Sequence, residues 1–113
     1  MYELAALAGL PFLYLTTVGR KTRLPRQIEI WFVVSNQHCY ILAEHFDRTQ
    51  WVKNIRRDPR VRVRIGDQEF EATALVLDRQ RDADAWQTAQ RLSEEKYGWG
   101  AGLPVELTLV GLS

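Results

Sequence analysis

Residues 60–77 read RVRVRIGDQEFEATALVL, and their alternation decides which kind of fold the rest of the chain can join. Val61, Val63 and Ile65 alternate with Arg60, Arg62 and Arg64, the period of two that sends successive side chains to opposite faces of a strand. Gly66-Asp67 suits a two-residue type II′ loop, because glycine takes a positive φ without steric cost. Residues 68–77 then return as the partner strand, with Arg64 facing Glu69, Arg62 facing Glu71 and Val63 facing Phe70. An arginine stripe invites a nucleic-acid reading. The opposed glutamates favour a structural one, each pair contributing roughly 0.2–1 kcal/mol across the hairpin.

Upstream the period changes. Asp47, with Gln50 three residues on, resembles a capping box, and Trp51, Val52 and Ile55 fall on one helical face. This predicts a helix over residues 48–57, ended by Asp58-Pro59. Before it, residues 11–18 are rich in aromatic and β-branched side chains and read as a strand. Residues 27–35 alternate Ile28, Ile30, Phe32 and Val34 against Glu29, Trp31 and Val33, which predicts one continuous strand. Ser35, Asn36 and Gln37 turn it into a partner over residues 38–43. Residues 2–10 read as a short helix ended by Gly9, which Pro11 forbids from continuing.

Downstream, residues 82–97 return to helical spacing, with Trp86, Ala89, Ser93 and Tyr97 along one line, and stop at Gly98. Tyr97-Gly98-Trp99-Gly100 is an aromatic pair on flexible backbone, and residues 104–110 form a last strand. The sum is six strands and two or three helices with hairpin-like connections. No dinucleotide fingerprint, phosphate-loop motif, internal repeat or linker interrupts them. The expected fold is α+β, mainly β: one domain over residues 1–113, built on a partly closed antiparallel barrel.

Composition narrows the function classes. The chain has 113 residues, 46% hydrophobic and 26% charged, with a formal net charge of +1. Attraction to nucleic acid or an anionic membrane would therefore have to be local. A single cysteine, Cys39, excludes an intramolecular disulfide and reads as a buried inert thiol. No apolar run reaches membrane-spanning length and the N-terminal segment lacks a basic start, which points to a cytoplasmic protein. His38 and His45 have no ligand set around them for a metal, and no serine stands in a hydrolytic frame.

What remains is the loop TTVGRKTRLPR, residues 16–26. Arg20, Lys21, Arg23 and Arg26 crowd between two strands, an arrangement that repels itself unless an anion sits among the charges. Lysine offers a point charge and arginine a planar fork, which together suit phosphate or carboxylate. Gly19 lets backbone approach such an anion closely. A solvated basic turn is the plainer reading of the same residues. The elements beside the loop carry Trp31, Tyr40 and Trp51, so loop and aromatics together suit a flat, phosphate-bearing cofactor that brings the reactive chemistry itself.

Three segments, LTTVGRKTRLPR, IEIWFVV and WVKNIRRDPRVRVRIG, resemble the deazaflavin-dependent nitroreductase family. The likeness runs over residues 13–77 and more weakly through the last helix. It implies the split β-barrel of flavin-binding proteins and hydride transfer from reduced coenzyme F420 to a small quinone, nitroaromatic or unsaturated carbonyl. It further implies that Arg20 and Lys21 at Gly19 hold the coenzyme's phosphate and acidic tail, with Arg26 assisting. Ala43, Glu44 and His45 would run along the deazaflavin ring, with Trp31 nearby. Tyr97 and Trp99 would lie over the ring on a segment able to close as a lid, Tyr97 as the catalytic hydroxyl and Trp99 excluding water; the plainer reading is that both only cap the last helix against the barrel. A homodimer is a candidate assembly.

The sequence departs from the family pattern in three places. Arg23 stands where the family has a glycine, Glu44 and His45 stand for serine and lysine, and the loop over residues 46–49 is short. Two alternatives follow from the wider split-barrel group: an FMN-using oxidoreductase, and a non-catalytic module for a flavin-like or apolar ligand.

Overall fold

The structure, a computed structural model, describes residues 4–111. After a 3₁₀ turn at Leu4–Leu7, seven strands follow: β1 (Leu13–Val18), β2 (Pro25–Ile30), β3 (Val33–Ser35), β4 (His38–Ala43), β5 (Arg60–Ile65), β6 (Gln68–Val76) and β7 (Leu103–Leu109). Helix α1 (Gln50–Arg57) lies between β4 and β5, and α2 (Ala83–Tyr97) between β6 and β7. The strands form one antiparallel sheet in the order β2-β1-β5-β6-β7-β4-β3. Its two edges, β2 and β3, are consecutive in the chain. Three Cα steps from Ile30 to Val33 reach about 11 Å at most, so the sheet curls until its edges face each other as a split barrel.

That closure corrects the reading of residues 27–35 as one strand. Phe32 and Val33 are both buried, so the alternation breaks where the chain leaves one edge for the other. Seven strands result instead of six. The hairpin at residues 60–77 has the expected register, Arg62 opposite Glu71 and Arg64 opposite Glu69. Its charges are used unevenly. Arg62 pairs with Glu71 at 3.1 Å, whereas Arg64 lies over the Tyr14 ring at 4.2 Å and donates to the Gly66 carbonyl.

The barrel interior is built from the inward positions of these strands, among them Leu13, Leu15, Ile41, Val63, Ile65, Val105 and Leu107, all at most 1% exposed. Cys39 shares this core, and burial pushes its thiol up to about 12, which leaves it inert at neutral pH. The α2 face is as read, with Trp86, Ala89 and Ser93 buried and Gly98 closing the helix at φ +76°. Tyr2 lies outside the described residues; the helix expected around it is here the single turn at Leu4–Leu7.

Helix α1 begins later than expected. Its N-cap is Thr49, and Asp47 sits in a preceding 3₁₀ turn, where it pairs with Arg56 at 2.7 Å instead of capping. At the other end Asp58 accepts from the backbone N–H and guanidinium of Arg60 and faces Arg23 at 3.6 Å. These bonds, those of Arg60 first, hold the Asp58 carboxyl down at about 2. A carboxylate held low in the fold contributes stability above its unfolded value of about 3.9 and loses it as pH falls through the folded value. Urea unfolding midpoints should therefore drop between about pH 4 and pH 2, and Asp58→Asn should flatten that limb while lowering the plateau above it. An acid limb identical in both proteins would take Asp58 out of the balance.

Candidate cofactor and substrate cleft

The basic loop folds as a tight turn on α1. Gly19 N–H donates to the Leu24 carbonyl and Arg23 N–H to the Gly19 carbonyl, both at 2.8 Å. A Cβ on Gly19 would lie 2.9 Å from Thr22 Oγ1 and 3.0 Å from the Leu24 carbonyl, closer than the loop tolerates. Arg23 adopts φ +63°, the left-handed region a glycine enters freely. Thr17 follows Leu13 and Leu15 on the inward face of β1 and is 1% exposed. Its hydroxyl accepts from Asn54 Nδ2 at 3.1 Å, and Asn54 Oδ1 in turn accepts from the backbone and guanidinium of Arg20. Gln50 Oε1 accepts a further Arg20 bond at 2.8 Å.

The partners of Arg20 are neutral amides, so its shape is fixed while its charge stays uncompensated. Among the described residues none of Arg20, Lys21 and Arg26 makes an ion pair. They line a pocket of about 350 Å³ together with Thr17, Gly19, Gln50, Trp51 and Asn54. Of the four cations in the stretch, Arg23 alone is turned elsewhere, toward Asp58.

A second, larger pocket of about 740 Å³ adjoins the first, with Ile28 and Trp51 in both linings. One wall is the alternating face Tyr40 and Leu42 of β4, continued beyond the strand by Glu44 and His45. Trp31, Thr49, Trp51, Ser93 and Trp99 contribute to the other walls, with residues 28–30 along the β2 side. Trp31 is 49% exposed yet well placed, because it stacks on the Tyr97 ring with centroids 4.4 Å apart and planes 3° from parallel. The Tyr40 hydroxyl donates to Glu106 at 2.8 Å, and burial followed by this carboxylate pushes the phenol up. Among the described residues Thr49 Oγ1 is buried without a hydrogen-bond partner, a polar atom on the cleft wall that a ligand could satisfy.

Of the residues singled out in the sequence, Gly19, Arg20, Lys21 and Arg26 meet in the basic pocket, and Trp31, Glu44, His45 and Trp99 line the aromatic one. Ala43 is 1% exposed and outside that lining. Tyr97 stands behind Trp31 instead of in the cleft. Its hydroxyl accepts from Phe32 N–H at 3.1 Å and lies 2.9 Å from the Phe32 carbonyl and 2.8 Å from that of Pro11, to one of which it donates. Burial pushes this phenol up as well. The segment after it packs against α2: a Cβ on Gly100 would collide with the Gln90 carbonyl, and Ser93 donates to the Trp99 carbonyl at 2.6 Å. Sequence reasoning assigned no site role to Thr17, Asn54, Gln50, Thr49 or Glu106, and gave Gln50 only a capping one. Only Thr17 left a signal, as a polar residue in an inward strand position.

The comparisons with known proteins bear on this geometry. The sequence profile of the family described as F420H(2)-dependent quinone reductase matches residues 3–109. No curated protein matches the chain. An F420-H2 dependent reductase, FDR-A, superposes with a TM-score of 0.64 at 23% identity, over 86% of this chain and 92% of that one. A chain described as a domain-swapped dimer gives 0.65 at 24% identity, over 86% and 78%. The heme storage protein HutZ from Vibrio cholerae gives 0.73 at 18% identity, over 94% and 87%. At these identities the structural likeness is one of fold. The profile spans nearly the whole chain and its family is defined by reduced F420, so the protein belongs to the F420H2-dependent quinone reductases, split-barrel enzymes whose coenzyme is F420.

Proposed function

We propose that this reductase passes hydride from reduced F420 to a small planar electrophile, a quinone first and a nitroaromatic or unsaturated carbonyl by the same route, bound in the aromatic pocket. The observation that carries the reading is the pair of adjoining pockets: one with three cations that make no ion pair among the described residues, the other walled by indoles, joined through Ile28 and Trp51. A coenzyme with a flat ring and an anionic tail needs that succession. The residues present fit it, since Arg20, Lys21 and Arg26 supply donors for phosphate and acidic tail, and Thr49 Oγ1 is a buried polar atom still lacking a partner. When bound, the coenzyme supplies the hydride; the protein needs to orient donor and acceptor and keep water away.

In this reading Glu44 and His45 border the ring edge and Trp99 shields it. Tyr97 acts through Trp31, holding that indole parallel against the cleft while its own hydroxyl serves the backbone. Two subunits associating as a homodimer is compatible with this cleft, as the domain-swapped relative illustrates for its own chain. The test is anaerobic mixing with reduced F420 and menadione, following return of the oxidised coenzyme. Turnover is expected in the wild type. Tyr97→Phe, which keeps the stack, should lose less than about tenfold in kcat; a loss on the order of 10²-fold with coenzyme affinity intact would put the phenol in proton transfer instead. No turnover of any of the three acceptor classes would reject the proposed chemistry.

A further inference from the structure

The two halves of the cleft carry opposite electrostatic character. The loop half has Arg20, Lys21 and Arg26 and no carboxylate; the aromatic half has Glu44, with Glu29 bordering it from β2, and no lysine or arginine among its described lining residues. Glu44 makes no ion pair among the described residues, so its charge is available to a ligand. Tyr40, on the same strand face, directs its proton to Glu106 at 2.8 Å, which leaves oxygen lone pairs for whatever enters. A third carboxylate thus stands behind the phenol. Trp31, Trp51 and Trp99 present indoles, whose ring faces are negative and attract cations and electron-poor rings.

We propose that the aromatic half selects flat, electron-poor acceptors that are uncharged or cationic and turns away those bearing an acidic group, with Glu44 as the specificity-determining residue. The inference rests on the acceptor occupying this half, as proposed above. It also gives the departure from the family's serine at Glu44 a role. A carboxylate within a few ångströms of an incoming anion, in a cleft open to water, discriminates about three- to tenfold.

The experiment uses three naphthoquinones that differ in one substituent: methyl, sulfonate and a quaternary ammonium. Dissociation constants come from quenching of tryptophan fluorescence in the coenzyme-free protein, in phosphate buffer whose anion competes for the loop cations. kcat/KM values come from turnover with reduced F420. In the wild type the sulfonate should bind about three- to tenfold more weakly than the methyl compound, and the ammonium at least as well as it. Glu44→Gln should bring the ratio near unity and Glu44→Lys should invert it; raising the salt should shrink it. A ratio unchanged by both substitutions, a sulfonate bound tightest by the wild type, or no saturable quenching by any of the three overturns the proposal. Binding ratios that follow Glu44 without coenzyme oxidation would reject the reductase chemistry and leave charge selection standing. Equal kcat/KM for all three quinones in wild type and both variants would do the reverse.

Discussion

Lys96→Met should lower stability by roughly 2–4 kcal/mol, an effect set by carbonyl groups left without their charged donor. The Lys96 ammonium, in the last turn of α2, donates to the carbonyls of Ala8 at 2.9 Å, Leu10 at 2.7 Å and Phe32 at 3.0 Å. It also lies 4.2 Å from the centre of the Phe32 ring. One side chain therefore ties the N-terminal segment, the crossing between β2 and β3, and the end of α2. Burial pulls its ammonium below the usual lysine range, which marks the desolvation that these carbonyls offset. Methionine matches the stem and removes the donor. In a domain of this size the loss corresponds to a fall in Tm of roughly 10 °C or more, measured by calorimetry. Because Phe32 adjoins Trp31, coenzyme affinity should weaken in the same variant at temperatures where it is folded. A Tm within about 2 °C of wild type, well under the shift that 1 kcal/mol produces, would show that water replaces the ammonium without cost.

Lys96 illustrates what the sequence could and could not disclose. On the page it is one more cation in the polar stretch SEEKY, and nothing in its neighbours announces three acceptors drawn from residues 8, 10 and 32. Such a site exists only after closure, and closure was the step that periodicity misread. Local alternation specified the hairpin at residues 60–77 down to its register, because a turn and a two-residue period fix a pair of neighbouring strands. The same alternation in residues 27–35 suggested one strand, since a switch of sheet edge costs only two residues, Trp31 and Phe32, whose apolar character looks continuous. The basic pocket was legible in its cations but not in the amides that hold them: Asn54 and Gln50 lie one turn apart on α1 and meet Arg20 only in three dimensions. Tyr97 was legible as one of an aromatic pair at the end of the last helix. Its turn toward the backbone of Phe32 and Pro11 depends on packing that no local pattern encodes.

The second large effect concerns the loop. Lys21→Ala should weaken F420 binding tenfold or more, since a charge-assisted bond to phosphate or carboxylate contributes roughly 1.5–3 kcal/mol. Stability should stay unchanged, because Lys21 is exposed and makes no ion pair among the described residues. Arg20→Ala should do both: lose affinity and loosen the loop, as it also gives up its bonds to Asn54 and Gln50. The contrast separates a residue that serves the ligand from one that also serves the fold. An unchanged dissociation constant for Lys21→Ala at matched ionic strength would remove this lysine from the site.

The joined pockets should favour F420, whose phosphate and acidic tail call on several cations at once. Parallel anaerobic titrations of the purified protein with F420 and with FMN, each followed by coenzyme fluorescence, test it most directly. Saturable F420 binding that weakens as salt is raised, with FMN at least about tenfold weaker because its single phosphate engages fewer charges, is the expected result. FMN binding as tight as F420, or no saturable F420 binding, would contradict it.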